Sequence, residues 1–378
     1  MLSRRVAALQ PSIIRQMSNR RRPTSIDLSL GEPRLEPDRE AMSAAWQNLQ
    51  SGLQGYTKNA GLDELRAEIA RYHALPGRDA AENVIVTVGS EEAVYLAMTS
   101  LLDPGDEVLV PQPGYPAYRG IAQLIGATPV DFPIHPDTGL APRADALQSR
   151  LTERARVIVL NGPSNPFGTV DDADELAAIA ALAEANDVTI ISDEIYRSLY
   201  YCDAPPPSVT ERLRSSVFIS GLSKSCAMTG LRLGYLIADA GFVKQATLAH
   251  QLMVTCAPRL AQLAALEVFR SPERLRAHVP YYRRSREVLR EAAEALPSQA
   301  RLHVGEGAFY GVIDVSAFAE GDPMALAIEL FEAEDVIVVP GVAFGPSGDW
   351  FWRLSYAAGE DVVREGVARI ARFLNARC

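Results

Sequence analysis

The chain has 378 residues, 48% hydrophobic and 22% charged, with a formal net charge of −10. That length builds a sizeable core and makes two domains the natural expectation, while the acidic balance argues against nucleic acid or an anionic membrane as a partner. No uninterrupted apolar run reaches the length of a membrane span, and Cys202, Cys226, Cys256 and Cys378 lack metal-type or disulfide-rich spacing, which fits a reducing, cytoplasmic setting.

Arg4, Arg5, Arg15, Arg20, Arg21 and Arg22 all precede Asp27, the first acidic residue. This bias fits either an organelle presequence or a basic arm packed on the body of the protein. Residues 11–17 read as a short helix with Ser12 as its cap. Residues 26–31 alternate like a strand and run into the turn Gly31-Glu-Pro33. Helices follow over 38–53 and 62–73, separated by a loop, 55–61, that carries Tyr56.

A regular alternation then begins. Apolar strands are predicted over 84–88, 107–110, 128–132, 156–160, 188–192, 216–220 and 234–238, with helices between most of them. Strands this apolar on both faces imply a mainly parallel, seven-stranded sheet covered on both sides. Ligands of such a sheet bind beyond the carboxyl ends of its strands. After Ala240 helices dominate, and residues 272–296 read as one charged, domain-bridging helix. Strands over 309–315, 336–339 and 351–356 and a helix over 360–374 complete a smaller α+β part. The expected division is a large domain over 45–270 and a small one formed by 1–44 together with 271–378.

The chemistry centres on the stretch 221–234. Lys224 lies just past a predicted strand, in a run otherwise uncharged until Arg232. Apolar surroundings favour the neutral amine, the nucleophile that builds Schiff bases; the alternative is a loop lysine in water. Ser90 and Glu91, after Gly89, sit where a strand passes into a helix, and such a junction offers N–H groups and a positive dipole end to a phosphate, or simply packs tightly. Arg232, between Gly230 and Gly234, clamps an anion or forms a surface ion pair. Asp193 follows a wholly apolar strand, so its carboxylate needs partners: a protonated heterocyclic nitrogen, or the N–H groups of a helix it caps. Tyr196, three residues on, shares a helical face with it. Asn165 positions a ligand hydroxyl or satisfies a proline-rich turn. Tyr115 stacks on a planar ring or packs. Arg353, mid-strand, clamps a carboxylate or faces solvent. Jointly these residues describe a site for pyridoxal phosphate and an amino acid.

In its ordered motifs the chain resembles the class I/II aminotransferases, which are fold type I pyridoxal-phosphate enzymes. The carriers are Leu30-Gly-Glu-Pro33, Tyr56 with Gly61-Leu62, Gly89-Ser-Glu91, Pro113-Gly-Tyr115, Asn161-Gly-Pro-Ser-Asn165-Pro-Phe-Gly168, Ser192-Asp-Glu-Ile-Tyr196, Gly221-Leu-Ser-Lys224, Gly230-Leu-Arg-Leu-Gly234 and Arg353-Leu-Ser355, over residues 10–375. The resemblance implies the α/β fold of that type and a pyridoxal 5′-phosphate cofactor. Lys224 would form the internal aldimine and shuttle the proton. Asp193 would keep the ring nitrogen protonated, Tyr196 and Asn165 would bond the ring's phenolic oxygen, and Tyr115 would stack on the ring. Ser90, the Glu91 backbone, Ser223 and Arg232 would hold the phosphate. Tyr56 would reach the phosphate of the neighbouring subunit, making a homodimer obligatory. Arg353 and the Gly31 backbone would hold the substrate α-carboxylate. The resemblance also favours the ordered arm over a presequence.

Two departures stand out. Gly221 occupies a position where some members have serine. Glu91 stands where some members that accept aspartate have lysine, and would repel a distal carboxylate. The expectation is ping-pong transamination from a neutral, aromatic or basic L-amino acid to a 2-oxo acid. A lyase, cyclase or oxidase on the same cofactor, or a non-catalytic protein that keeps the fold, are the alternatives.

Overall fold

The computed structural model describes residues 2–7, 9–52, 55–320 and 322–378. Its strands, in chain order, are β1 (Ile26–Asp27), β2 (Val84–Thr87), β3 (Glu107–Gln112), β4 (Thr128–Pro133), β5 (Ala155–Asn161), β6 (Thr189–Asp193), β7 (Ser216–Gly221), β8 (Gly234–Ile237), β9 (Arg301–Val304), β10 (Tyr310–Asp314), β11 (Val336–Ile337), β12 (Val339–Pro340) and β13 (Phe351–Ser355). Seven of them form one sheet in the order β2-β8-β7-β6-β5-β3-β4. All neighbours are parallel except β8, which runs antiparallel to β2 and β7. The expected mainly parallel sheet is therefore present.

Its strands are buried because helices cover both faces. Ile85, Val157, Val159, Ile191, Val217 and Ile219 pack with Ala93, Leu96 and Ala97 of the helix Ser90–Leu101 in one core cluster. On the opposite face Ile158, Leu160 and Ile190 pack with Leu176, Ile179 and Ala183 of the helix Ala173–Ala185. Each fully buried aliphatic side chain contributes roughly 1.5–3 kcal/mol. This tight clamping makes the strand ends rigid supports for the residues beyond them.

The C-terminal part carries an antiparallel sheet, β12-β13-β10-β9, and the parallel pair β1-β11. Several expectations are corrected here. Residues 272–296 are not one helix: a 3-10 turn, Pro272–Arg276, precedes the helix Val279–Ala292. Pro280 lies in the first turn of that helix, where its missing N–H costs nothing; a helix continued through it would clash with the carbonyl of Arg276. The expected strand 336–339 is two short strands, one paired with β1 and one with β13. All of its residues are buried, so no polar alternation marks the switch. The strand from Ile26 stops at Asp27, whose Oδ1 accepts from the Ser29 N–H (2.9 Å) and hydroxyl (2.6 Å), turning the chain so that Leu30 and Gly31 reach the site. Tyr196 follows Asp193 in a turn and not on a helix. Strand β9 and the short helix Arg4–Ala7 were not expected.

The helix expected over 38–53 is observed as Arg39–Gln50 with Asp38 as its cap; Leu53 lies outside the described residues. The N-terminal helix is Ile13–Ser18, with the Ser12 hydroxyl accepting from the Arg15 N–H. Among the described residues no helix is long and apolar enough to cross a membrane.

Candidate active site

A cavity of about 770 Å³ opens where β5, β6 and β7 end and meets the C-terminal sheet at β10 and β13. Gly31, Ser90, Glu91, Tyr115, Asn165, Asp193, Tyr196, Ser223, Lys224, Arg232 and Arg353 all line it. Only Tyr56, among the residues singled out from sequence, is not brought there: it is 86% exposed.

Lys224 follows β7 by three residues. Its Nζ donates to the Gly31 carbonyl at 2.7 Å. Burial lowers its amine from the usual range to about 8; Glu32 opposes that shift, while Arg353 and Arg232 reinforce it. The lysine is therefore a reactive amine near neutral pH, and not a solvated loop side chain.

Asp193 is the last residue of β6 and is buried. Burial raises its carboxyl to about 6, working against two donors: the Tyr118 hydroxyl to Oδ2 (2.7 Å) and the Ile195 N–H to Oδ1 (3.2 Å). It is mostly ionised at neutral pH. Its main-chain carbonyl accepts from Asn161 Nδ2 at 2.9 Å, and Asn161 Oδ1 accepts from the Asn165 N–H at 2.8 Å. The Asn161 side chain thus braces the turn after β5 against β6.

Arg353, in β13, is buried and faces the cavity. Its Nη1 donates to Asn165 Oδ1 at 3.0 Å, Nη2 donates to the Ser29 carbonyl, and Nε is buried with no hydrogen-bond partner among the described residues. A buried guanidinium with a donor to spare is a receptor for an anion. The guanidinium sits 4.4 Å over the Tyr310 ring and 5.0 Å from that of Phe344. The Tyr310 hydroxyl in turn pairs with that of Tyr196 at 2.7 Å. A Cβ on Gly31 would lie 2.0 Å from the Tyr310 hydroxyl, so residue 31 must be glycine for the two segments to meet.

Tyr118 and Tyr310 are the site residues that sequence reasoning missed. Tyr118 had a signal: it lies one turn after Tyr115 on the helix Ala117–Ile125, and a buried phenol needs a partner. Tyr310 had none, since it sits in an apolar strand.

The other end of the cavity is built on glycine. Gly89, with φ +80°, ends the turn before the helix Ser90–Leu101; a Cβ there would lie 2.5 Å from Arg232 Nη2. Arg232 itself is exposed, has φ +53° and donates from Nη1 to the Thr229 carbonyl at 3.0 Å. Gly221 and Gly234 face each other across β7 and β8. A Cβ on Gly221 would approach the Leu233 carbonyl oxygen to 2.9 Å, and one on Gly234 the Ser90 nitrogen to 2.3 Å. This close backbone contact accounts for glycine at position 221.

The arrangement therefore joins a helix N-terminus with an arginine, a buried carboxylate, a lowered amine and a spare guanidinium around one space. Residues 23–370 match the family model described as aminotransferase class I and II. The chain is 34% identical over 385 residues to an aspartate/prephenate aminotransferase of Thermus thermophilus, covering 99% of this chain and 98% of that one. It is 32% identical over 380 residues to an aspartate aminotransferase of Pyrococcus horikoshii, covering 99% and 97%. The solved structure of Thermus thermophilus aspartate aminotransferase with maleate matches at a TM-score of 0.92 and 32% identity, covering 99% of this chain and 100% of that chain.

Proposed function

The chain belongs to the class I and II aminotransferases, enzymes that use pyridoxal 5′-phosphate, and from that premise we propose a transaminase that moves the amino group of a neutral, aromatic or basic L-amino acid to a 2-oxo acid in two half-reactions at one site. The observation that carries the reading is the convergence of Lys224, Asp193 and Arg353 on one cavity, with the lysine amine lowered to about 8.

The residues present fit the cofactor. Asp193 offers a buried carboxylate to a ring nitrogen, Tyr196 and Asn165 offer donors to a phenolic oxygen, and Tyr115 offers a flat ring. Ser90, the Glu91 N–H, Ser223 and Arg232 suit the phosphate. When bound, the cofactor supplies an electron-poor ring that takes up the electron pair left behind when a proton leaves Cα. The protein's part is positional and protonic. Arg353 and the Gly31 backbone would bind the substrate α-carboxylate, and this would fix how the bonds at Cα are oriented for proton removal. Lys224 takes the Cα proton and returns it one position along. Asp193, ionised, would stand against the ring nitrogen and favour its protonated form.

The direct test adds each amino acid in turn to the loaded enzyme and follows its visible absorbance, with the released 2-oxo acid measured alongside. Bleaching with stoichiometric oxo acid is expected. Pyruvate and ammonia released without an oxo-acid acceptor would mean a lyase instead.

Glu91 carries the side-chain preference. With Glu32, it gives the cavity carboxylates that disfavour a substrate bearing a second one; Arg15, on the same lining, acts in the opposite sense. Glu91→Lys is expected to raise kcat/KM for aspartate, relative to a neutral amino acid, by roughly tenfold. An unchanged ratio in a kinetic panel would mean that Glu91 does not meet the side chain.

The proposal includes a homodimer working in the cytoplasm. Exposed Trp46, Leu248 and Leu252 supply apolar surface for a second copy, Tyr56 lies free to reach the partner's phosphate site, and the four cysteines are free. We take 45–270 as the cofactor-binding domain and 1–44 with 271–378 as the second. Sedimentation of the active species as a single chain would sink the dimer.

A further inference from the structure

This inference rests on the reading above, that the start of the helix Ser90–Leu101 receives the cofactor's phosphate. The first N–H groups of that helix have no intrahelical acceptor and are the natural anion donors. Ser90 and Glu91 line the cavity; Glu92, the next residue, does not. Its Oε2 accepts from the Val88 N–H at 2.9 Å, closing back over the Gly89 turn. Its Oε1 pairs with His250 Nδ1, also at 2.9 Å. His250 comes from the helix Ala240–Val254 and is fully buried. Its Nε2 is buried with no hydrogen-bond partner among the described residues. A hydrogen on Nδ1 can be donated to Glu92, whereas a hydrogen on Nε2 would be buried without an acceptor.

The arrangement is poorly explained by stability. A carboxylate–imidazole pair with the ring buried, the carboxylate half-buried and one ring nitrogen unmet gains little over an apolar pair of the same volume. What the pair does is local. One carboxylate oxygen fixes the backbone entering the turn. The other is held by the His250 ring, so the carboxylate one residue from the Glu91 N–H and two from the Ser90 N–H is kept off the cavity. The pair also leaves the Ser90 and Glu91 N–H groups free for a ligand.

We infer that Glu92 and His250 are positioning residues for the cofactor's phosphate. The pair touches no reacting atom; it sets the shape and charge of the turn that does the binding.

The test compares two ligands on the full-length cofactor-free protein: pyridoxal 5′-phosphate and pyridoxal, which lacks the phosphate. His250→Leu is expected to raise the Kd for pyridoxal 5′-phosphate by roughly tenfold, the loss of one charge-assisted hydrogen bond, with the Kd for pyridoxal unchanged. His250→Asn, whose side-chain amide nitrogen can stand near the Nδ1 position, is expected to restore most of the difference. If His250→Leu does not fold, His250→Phe, which fills the site with a ring but offers no donor, reads the same ratio. Equal weakening of both ligands, or no change in either, overturns the inference. A wild-type chain that takes up no pyridoxal 5′-phosphate overturns the functional reading itself, and is told apart because it is seen without any substitution.

Discussion

Replacing Lys224 with alanine is expected to lower transamination by on the order of 10⁴-fold while leaving the fold and the phosphate grip in place. The side chain lies in the cavity and not in a core cluster, and its one hydrogen bond is to the Gly31 carbonyl. Its removal therefore costs little packing. On the proposed function, what should be lost is both the amine that would take up the cofactor covalently and the group that would carry the proton. Borohydride should fix the cofactor to the wild-type chain and not to Lys224→Ala. The lowered amine adds a pH signature. The Lys224 amine is pushed down to about 8, well below the usual lysine range, so the neutral form is half reached there and saturates within about two pH units above it. Covalent uptake of the cofactor by the empty wild-type chain should follow that curve. Uptake still climbing steeply at pH 10 would mean an ordinary solvated lysine, and full activity in Lys224→Ala would remove it from the chemistry altogether.

Asp193→Asn is the second large effect. Asparagine keeps the shape and can still meet the Tyr118 hydroxyl and the Ile195 N–H. It cannot offer a charge to a protonated ring nitrogen. Losing one partner of a buried ion pair costs about 3–5 kcal/mol, which as a barrier is roughly 10²–10³-fold or more in kcat. The loss should fall on kcat and on the rate of the amino-acid half-reaction, with KM little changed, because the proposed carboxylate clamp, Arg353, is left intact. Asp193→Glu, with the charge retained, should recover part of it. An Asn variant with wild-type kcat would show that the ring nitrogen is served by some other group.

The large sheet was legible because its strands are short unbroken runs of Val, Ile and Leu between turn residues, a pattern that survives any tertiary context. β9 was not: Arg301–Val304 is partly exposed and mixes charge with apolar residues. The break before Val279 could have been read from Pro280, but the charged periodicity around it concealed the boundary. The strand 336–339 was seen and its division was not, since which neighbour each half pairs with is settled by contacts far away in the chain. In the site, charged and turn-bound residues announced themselves, and all but Tyr56 of the residues singled out line the cavity. Tyr118, Tyr310 and His250 lie in helices or strands where an aromatic ring reads as core. Their partners stand 75, 114 and 158 positions away, a separation that only the folded chain brings to hydrogen-bond distance.

The contact between the Lys224 amine and the Gly31 carbonyl has a thermodynamic consequence. A free lysine side chain holds about 2 kcal/mol of rotamer freedom, which any reaction that fixes it must overcome. Here the tip of the side chain is already held on the main chain by its hydrogen bond to the Gly31 carbonyl. That ordering is settled during folding, so less freedom is left to lose when the amine reacts. The N-terminal segment that carries Gly31 thus keeps the nucleophile in a ready position from the substrate side of the cavity.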